Sequence, residues 1–270
     1  MTTGKKAEAA TQSDIVAALA DEIVNLRDFG GLPTEDGRRI LTGRLFRSGH
    51  LAAVSEQGRA LLDAQRFSVV ADLRFAKERE EAPSTWPRDG SIDVFRIEGG
   101  EQSEGPHVAV LKSGALTAPD IDRFYTGFYR AIPFDPQFRP LFGAIMRRMA
   151  DCDGATLIHC SVGKDRTGLL VALIQTALGV TRDAIVTDFM ATRHAPGLMK
   201  MIPEIVERLE SRLKQTVTVD IARKMLGVEE EYLRAAFAEI EQQCGSVETY
   251  LAQMGVDNGV RTALRDRLLA

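Results

Sequence analysis

The chain has 270 residues, 44% hydrophobic and 27% charged, with a formal net charge of −4 and a pI near 5.7. Those values belong to a packed globular protein of one large domain or two small ones, and they exclude wholesale disorder. The acidic balance argues against a general nucleic-acid binder, while leaving room for a local basic pocket.

Residues 1 to 12 read as a polar, disordered tail. Lys5 and Lys6 mimic the start of a signal peptide. The apolar stretch that follows, Ile15 to Ala20, is too short for one and is flanked by Asp14, Asp21 and Glu22. Arg38 to Leu41 and Arg44 to Arg47 are expected as short strands around Thr42-Gly43. Glu56 to Gln65 is expected as a helix capped by Ser55. Phe67 to Leu73 is a β-branched apolar run suited to a buried strand, and Ile92 to Ile97 is a second strand candidate. From Gly99 to about Pro119 no periodicity is visible, and stretches of that length are often functional or mobile.

Asp120 to Ala131 and Pro136 to Ala150 carry helical patterns, with Asp120 and Asp135 as caps and Pro136 at a first helical position. Ala155 to His159 is a short apolar strand leading through a glycine-containing turn into an apolar helix, Thr167 to Leu178. In the last third, Thr181 is placed to cap a helix carrying Ile185, Val186, Phe189 and Met190. Ile202, Ile205, Val206, Leu209 and Leu213 follow helical spacing. So do Leu233, Ala236, Phe237 and Ile240, then Val256, Val260, Leu264 and Leu268, and such stripes are more often core than interface. The pattern predicts one α/β domain over residues 13–270, with a central, mostly parallel sheet flanked by helices and a helical C-terminal extension. The longest apolar run, Leu169 to Leu178, is interrupted by Gln175 and Thr176 and cannot span a bilayer. The default expectation is therefore a cytoplasmic protein without a transmembrane segment, with export by a signal-less route left open.

Cys152, Cys160 and Cys244 are too few and too scattered for a disulfide framework, and Cys152 and Cys244 are expected as buried thiols. No CxxC or HExxH spacing occurs and the four histidines are dispersed, so neither a metal site nor another cofactor is expected.

The chemistry concentrates in His159-Cys160-Ser161-Val162-Gly163-Lys164-Asp165-Arg166-Thr167-Gly168, where Cys and Arg flank five residues. A strand delivers Cys160 to the sheet's carboxyl edge. Successive backbone N–H groups of Ser161 to Arg166 then form an anion nest, reinforced by the N-terminal end of the following helix. Arg166 supplies a planar fork for two phosphate oxygens. A cysteine at a helix N-terminus beside a guanidinium ionises at roughly pH 3.5–7.5 rather than about 8.5, so Cys160 is expected to be a nucleophilic thiolate. Gly163 keeps a Cβ away from the phosphate, and Gly168 allows close helix packing. His159 is expected to orient the loop through a hydrogen bond, and Thr167 to donate its hydroxyl to the sulfur. Lys164 is either a second cation over the pocket or a solvated lysine. Asp165 is the candidate general acid, its alternative being a carboxylate paired with a neighbouring arginine. Asp72 is the rival acid, more simply read as part of a structural ion pair in which it and Arg74 engage Arg47, Glu78 or Glu80. Trp86-Pro87-Arg88-Asp89 only faintly echoes an acid-bearing loop, and Arg27 and Asp28 read as scaffold.

The segment HCSVGKDRTG resembles the signature loop of the cysteine-dependent protein tyrosine phosphatases, in the version of a bacterial branch that includes secreted mycobacterial members. Asn25-Leu26-Arg27-Asp28-Phe29-Gly30-Gly31, Gly43-Arg44-Leu45-Phe46-Arg47-Ser48, Asp72-Leu73-Arg74 with Glu78-Arg79-Glu80, Tyr232-Leu233, and Gly245 to Leu251 resemble further motifs of that branch. The resemblance implies a tyrosine or dual-specificity phosphatase fold and metal-free hydrolysis of phosphotyrosine in proteins. In some members it extends to phosphoserine, phosphothreonine and phosphoinositides. It also implies mobile helices over the site, within about 184–226. Rival readings are a catalytically weak phosphate-binding module and an arsenate reductase or rhodanese-like sulfur enzyme. The RTG helix opening and the lack of a second well-placed redox cysteine count against the latter pair.

Overall fold

A computed structural model describes residues 12–88, 90–98, 117–195, 197–214 and 216–270. Residues 1–11 of the predicted tail, Asp89 of the Trp86 segment, and the 99–116 part of the aperiodic stretch lie outside the described residues, while Gln12, counted with the tail, opens the first helix.

Five strands form one sheet: β1 (Arg27–Asp28), β2 (Leu45–Ser48), β3 (Phe67–Asp72), β4 (Asp93–Arg96) and β5 (Ala155–His159). Their spatial order is β1-β2-β5-β3-β4, with β1 antiparallel and the others parallel. Four strands fall on predicted runs; β1 is not among the expected strands, and one expected strand is absent. Arg38 to Leu41 forms no strand and makes isolated bridges only, Pro33 with Arg39 and Ile40 with Leu269. Its partners are a loop and the C-terminus, so no ladder extends.

Side chains alternate across the sheet as a period of two requires. Leu45, Val69, Ala71 and Ile158 enter the larger core, whereas Phe46, Val70 and Leu157 enter the smaller one. The helices α1 (Gln12–Leu19) and α2 (Glu56–Ala64) lie on the smaller-core side. Ser55 caps α2 by accepting from Gly58 N at 3.0 Å, as predicted. Then come α3 (Ala76–Glu81), α4 (Ala118–Ala131) and α5 (Phe138–Asp151). Asp135 accepts from Gln137 N and Phe138 N, so α5 starts two residues later than Pro136 suggested. Similarly α4 begins at Ala118 after Thr117, not at Asp120, because Pro119 fits the first helical turn.

The helix after β5, α6 (Asp165–Leu178), is buried along nearly its whole length, which explains a sequence apolar on all sides. The C-terminal third contributes α7 (Arg182–Met190), α8 (Ile202–Leu213), α9 (Val219–Leu226), α10 (Glu230–Cys244), α11 (Val247–Gln253) and α12 (Asn258–Leu268). Leu233, Ala236, Phe237, Ile240, Val256, Leu264 and Leu268 are core residues, as their spacing predicted. Cys152 is buried, but Cys244 is half-exposed at the end of α10 and contacts Gln253, correcting its reading as a core thiol.

Candidate active site

Parallel register sets the site. Ser48 and Asp72 both pair with His159, so β2 and β3 flank β5 where the chain leaves the sheet at Cys160. The loop Ser161 to Lys164 then turns directly into α6, whose N-terminus faces the sheet edge. Gly163 sits at φ +69, and a Cβ there would lie 2.3 Å from the Ser48 carbonyl oxygen. Glycine is therefore required by the neighbouring strand, a different obstacle from the phosphate expected from sequence. Gly168 meets its expectation, since an added Cβ would press on the Phe189 ring at 2.9 Å.

The back of the loop is tied down through its carbonyls. Asn25 donates to Gly163 O at 2.8 Å and Val162 O at 3.2 Å, and Arg47 donates to Gly163 O at 2.9 Å. Arg27 reaches Asn25, the Asp188 carbonyl and Thr192, and Asp28 accepts from Gly30 N and Gly43 N, so both are scaffold as read.

Arg166 is 3% exposed and held end-on by Glu78: Nη1 donates to Oε2 at 2.5 Å and Nη2 to Oε1 at 2.7 Å. Nη1 also donates to Leu73 O at 2.9 Å. These three bonds leave Nε–H, which has no partner, and the second Nη2 hydrogen. Both lie on one edge of the guanidinium, the geometry that binds two oxygens of a phosphoryl group. Glu78 also accepts from Phe75 N at 2.8 Å and from the Ser161 hydroxyl. Burial pushes its carboxyl up, but Arg166, Ser161 and Phe75 outweigh it and hold the group at about 2. The sequence offers Glu78 as part of a motif and as an ion-pair partner for Asp72 and Arg74; its role as the Arg166 clamp depends instead on α3 and α6 meeting in the fold.

A cavity of about 250 Å³ opens over the loop. Cys160, Ser161, Val162, Lys164, Asp165 and Arg166 line its floor, with Tyr125 and His50 at the side. Its roof is mostly apolar, Met201, Ile205, Leu209, Met225 and Leu226 from α8, the turn before it and α9, with Glu204 of α8 as its one carboxylate among the described residues. Ile205 and Leu209 of the stripe expected as core therefore cover the site as well as packing.

Lys164 is 3% exposed, so the solvated alternative does not hold. Its ammonium donates to Met225 O at 2.6 Å and Gly227 O at 3.0 Å, carbonyls at the C-terminal end of α9. It also lies 3.6 Å from Asp165 and 4.1 Å from the Tyr125 ring centre. Asp165 accepts from the Tyr129 hydroxyl at 3.0 Å, so its partners are a lysine and a tyrosine, with no arginine in ion-pair range among the described residues.

Asp72 sits in a structural ion pair, as its simpler reading holds, but with a different partner. It forms a two-point pair with Arg74, Nε to Oδ1 at 2.8 Å and Nη2 to Oδ2 at 2.7 Å, rather than engaging Arg47, Glu78 or Glu80. It lines a different cavity, on the far side of β3 with Arg96 and Pro83. Burial pushes its carboxyl up, but His159 and Arg74 pull it below its ordinary value, which disfavours a proton donor. His159 is fully buried, and burial pulls its imidazole down to about 4. Its Nδ1 lies 3.8 Å from Asp72 without a hydrogen bond. The expected Thr167 bond to the Cys160 sulfur is not formed: the hydroxyl is buried and unpartnered. The helix starts at Asp165 rather than Thr167, which places Thr167 within its first turn instead of on the loop. Trp86 donates to Asp63 at 2.6 Å from inside the smaller core, which gives that residue a packing role.

Among the described residues no group of three His, Cys, Asp or Glu side chains is arranged to hold a metal ion, and no helix is long and apolar enough to cross a membrane.

Comparison with known proteins agrees with this geometry. A family model described as the tyrosine phosphatase family matches residues 19–270. The triple specificity protein phosphatase PtpB of Mycobacterium tuberculosis is 32% identical over 272 residues, covering 91% of this chain and 96% of that protein. A tyrosine-protein phosphatase of Nostoc commune is 29% identical over 227 residues, covering 82% of this chain and 73% of that one. With the Cys160 to Arg166 loop built on the sheet edge and the family model spanning almost the whole described fold, the chain belongs to the tyrosine phosphatase family and is a protein-tyrosine phosphatase.

Proposed function

We propose that the chain cleaves phosphomonoesters through a phosphocysteine formed on Cys160. The observation that carries this reading is the free Nε–Nη2 edge of Arg166, fixed by Glu78 and Leu73 on the same cavity floor as the cysteine. In the first step the thiolate sulfur forms a bond to phosphorus as the bond to the leaving oxygen breaks. That oxygen keeps the electron pair and takes a proton from Asp165. In the second step water attacks phosphorus and returns a proton to Asp165. The sulfur–phosphorus bond breaks, releasing inorganic phosphate and restoring the thiolate. The loop amides of Ser161 to Arg166 and the Arg166 edge hold the equatorial oxygens throughout. Asp165 is favoured as the acid by its place on the cavity wall and by Tyr129 and Lys164, which fix its orientation.

Phosphotyrosine in proteins is the primary substrate. The likeness to a relative named for triple specificity, together with the buried Lys164 cation on the cavity wall, supports extending the reading to phosphoserine, phosphothreonine and phosphoinositides. The helices α8 and α9 act as a lid, since their apolar faces roof the cavity. The test is rapid quench of the wild-type protein with phosphotyrosine peptide, chelator present, followed by mass spectrometry. Phosphate on Cys160 is expected. Turnover that persists in Cys160→Ser overturns the mechanism. A panel of phosphotyrosine, phosphoserine and phosphoinositide substrates decides the breadth.

A further inference from the structure

Behind the loop, on the side away from the cavity, lies a buried charge imbalance that the proposed mechanism does not use. Arg27 on β1 and Arg47 on β2 are paired across the antiparallel ladder. Like charges in such a position repel. Arg47 is 0% exposed, and its Nε and Nη1 make no hydrogen bond. Asp188 of α7 is the single carboxylate in ion-pair range of either among the described residues, 3.6 Å from Arg47 Nη1 and 3.8 Å from Arg27 Nε. It is shared further, since Gln175 donates to its Oδ2 at 3.0 Å. Two guanidinium groups and one carboxylate leave one positive charge in excess. An unpaired buried cation is costly, by several kcal/mol as a rule. The one strong bond Arg47 makes is to the loop itself, Nη2 to Gly163 O at 2.9 Å.

We propose that Arg47 is a positioning residue whose unbalanced charge is matched by the anion on the other side of the loop, the Cys160 thiolate and then the bound phosphoryl group. It acts in two ways. Through Gly163 O it holds a loop carbonyl backward, helping the amides face the cavity. Through space it favours negative charge on the sulfur. Asp188 works against the second effect by taking up part of the charge. This inference rests on Cys160 being the nucleophile.

Other charged groups also face the cysteine. Arg166, Lys164 and Asp165 come from its own loop and helix, His50 from the segment after β2, Tyr125 from α4 and Glu204 from α8, and the buried His159 precedes it on β5. Glu78 lies behind Arg166, and Tyr129 of α4 lies near Arg47. All of these are unchanged when only Arg47 or Asp188 is replaced, so the comparison isolates the pair.

The experiment is alkylation of Cys160 by iodoacetamide, a neutral reagent, followed against pH by peptide mass spectrometry that separates Cys160 from Cys152 and Cys244. In Arg47→Gln the midpoint of the profile is expected to move up by about one pH unit, the size of one charge lost nearby. In Arg47→Lys, which keeps the charge, most of that shift should be recovered. In Asp188→Asn the midpoint should move down. Opposite signs in Arg47→Gln and Asp188→Asn support the proposal, because damage to packing alone would move both the same way. An unchanged midpoint in Arg47→Gln overturns it, as does an upward move in Asp188→Asn. If Arg47→Gln does not fold, Asp188→Asn decides by itself: a downward move supports the proposal, and no move or an upward one overturns it. The readout is the reactivity of one thiol, so it stands apart from turnover in Cys160→Ser, which tests the mechanism itself.

Discussion

Glu78 and Arg166 meet end-on, Nη1 to Oε2 at 2.5 Å and Nη2 to Oε1 at 2.7 Å, so a carboxylate from α3 fixes the plane of the guanidinium that faces the cavity. The Arg166 side chain is buried at 3% exposure and that of Glu78 is mostly covered at 12%. The clamp determines which donors remain for a substrate, because it occupies the end of the fork and leaves its edge.

Replacing Glu78 by Gln keeps the shape and removes the charge. Turnover should fall by about 10- to 100-fold, the cost of a loosened catalytic group, with Cys160 still present. The carboxyl is held at about 2 against an ordinary 4.5, so it contributes stability that is present above pH 4.5 and is lost as pH falls toward 2. That contribution is up to about 3 kcal/mol. Acid unfolding of wild type and Glu78→Gln should therefore converge between these pH values, as followed by circular dichroism. Parallel curves across that window would show that the pair stabilises nothing.

Arg166→Lys should lose about 10²–10³-fold in rate, since an ammonium cannot satisfy Glu78 and two phosphoryl oxygens together. Vanadate inhibition should weaken in parallel. Retained inhibition with retained rate would mean the Nε–Nη2 edge is not the phosphate contact.

Asp165→Asn should slow aryl phosphates with poor leaving groups by about 10²–10⁴-fold and nitrophenyl phosphate far less. Tyr129→Phe removes one hydrogen bond to Asp165 and should show the same trend at about twofold to tenfold. Asp72→Asn should leave the leaving-group dependence unchanged, because Asp72 lines the other cavity. The check is a series of aryl phosphates of graded leaving-group acidity. A steeper dependence in Asp72→Asn, with none in Asp165→Asn, would transfer the role.

Lys164→Ala should raise KM for inositol phosphates about tenfold more than KM for phosphotyrosine peptides, since a buried cation matters most to a second anionic group. Such a group would take the place of the Met225 and Gly227 carbonyls that the ammonium now contacts. Equal changes for both substrates would reduce Lys164 to a lid contact.

The sequence alone determined the local parts. Phe67 to Asp72 and Ala155 to His159 are apolar, β-branched runs whose burial is dictated by composition, and the C-x5-R spacing with its glycines allows few backbone paths. Cys160, Arg166, Lys164 and Asp165 were legible as one cluster because they are neighbours in the chain. Their partners were not, because each comes from far along it. Glu78 reaches Arg166 across 88 positions, Arg47 reaches Gly163 across 116, and Tyr129 reaches Asp165 across 36. Asp72 and Arg74 could be named as an ion pair, but the strand order β2-β5-β3 decides which cavity they face. The Ile202 to Leu209 stripe looks like core from its spacing. Only the packing of α8 and α9 over the loop turns part of that face into the roof of the site, because hydrophobic periodicity records that a surface is covered and not what lies beneath it.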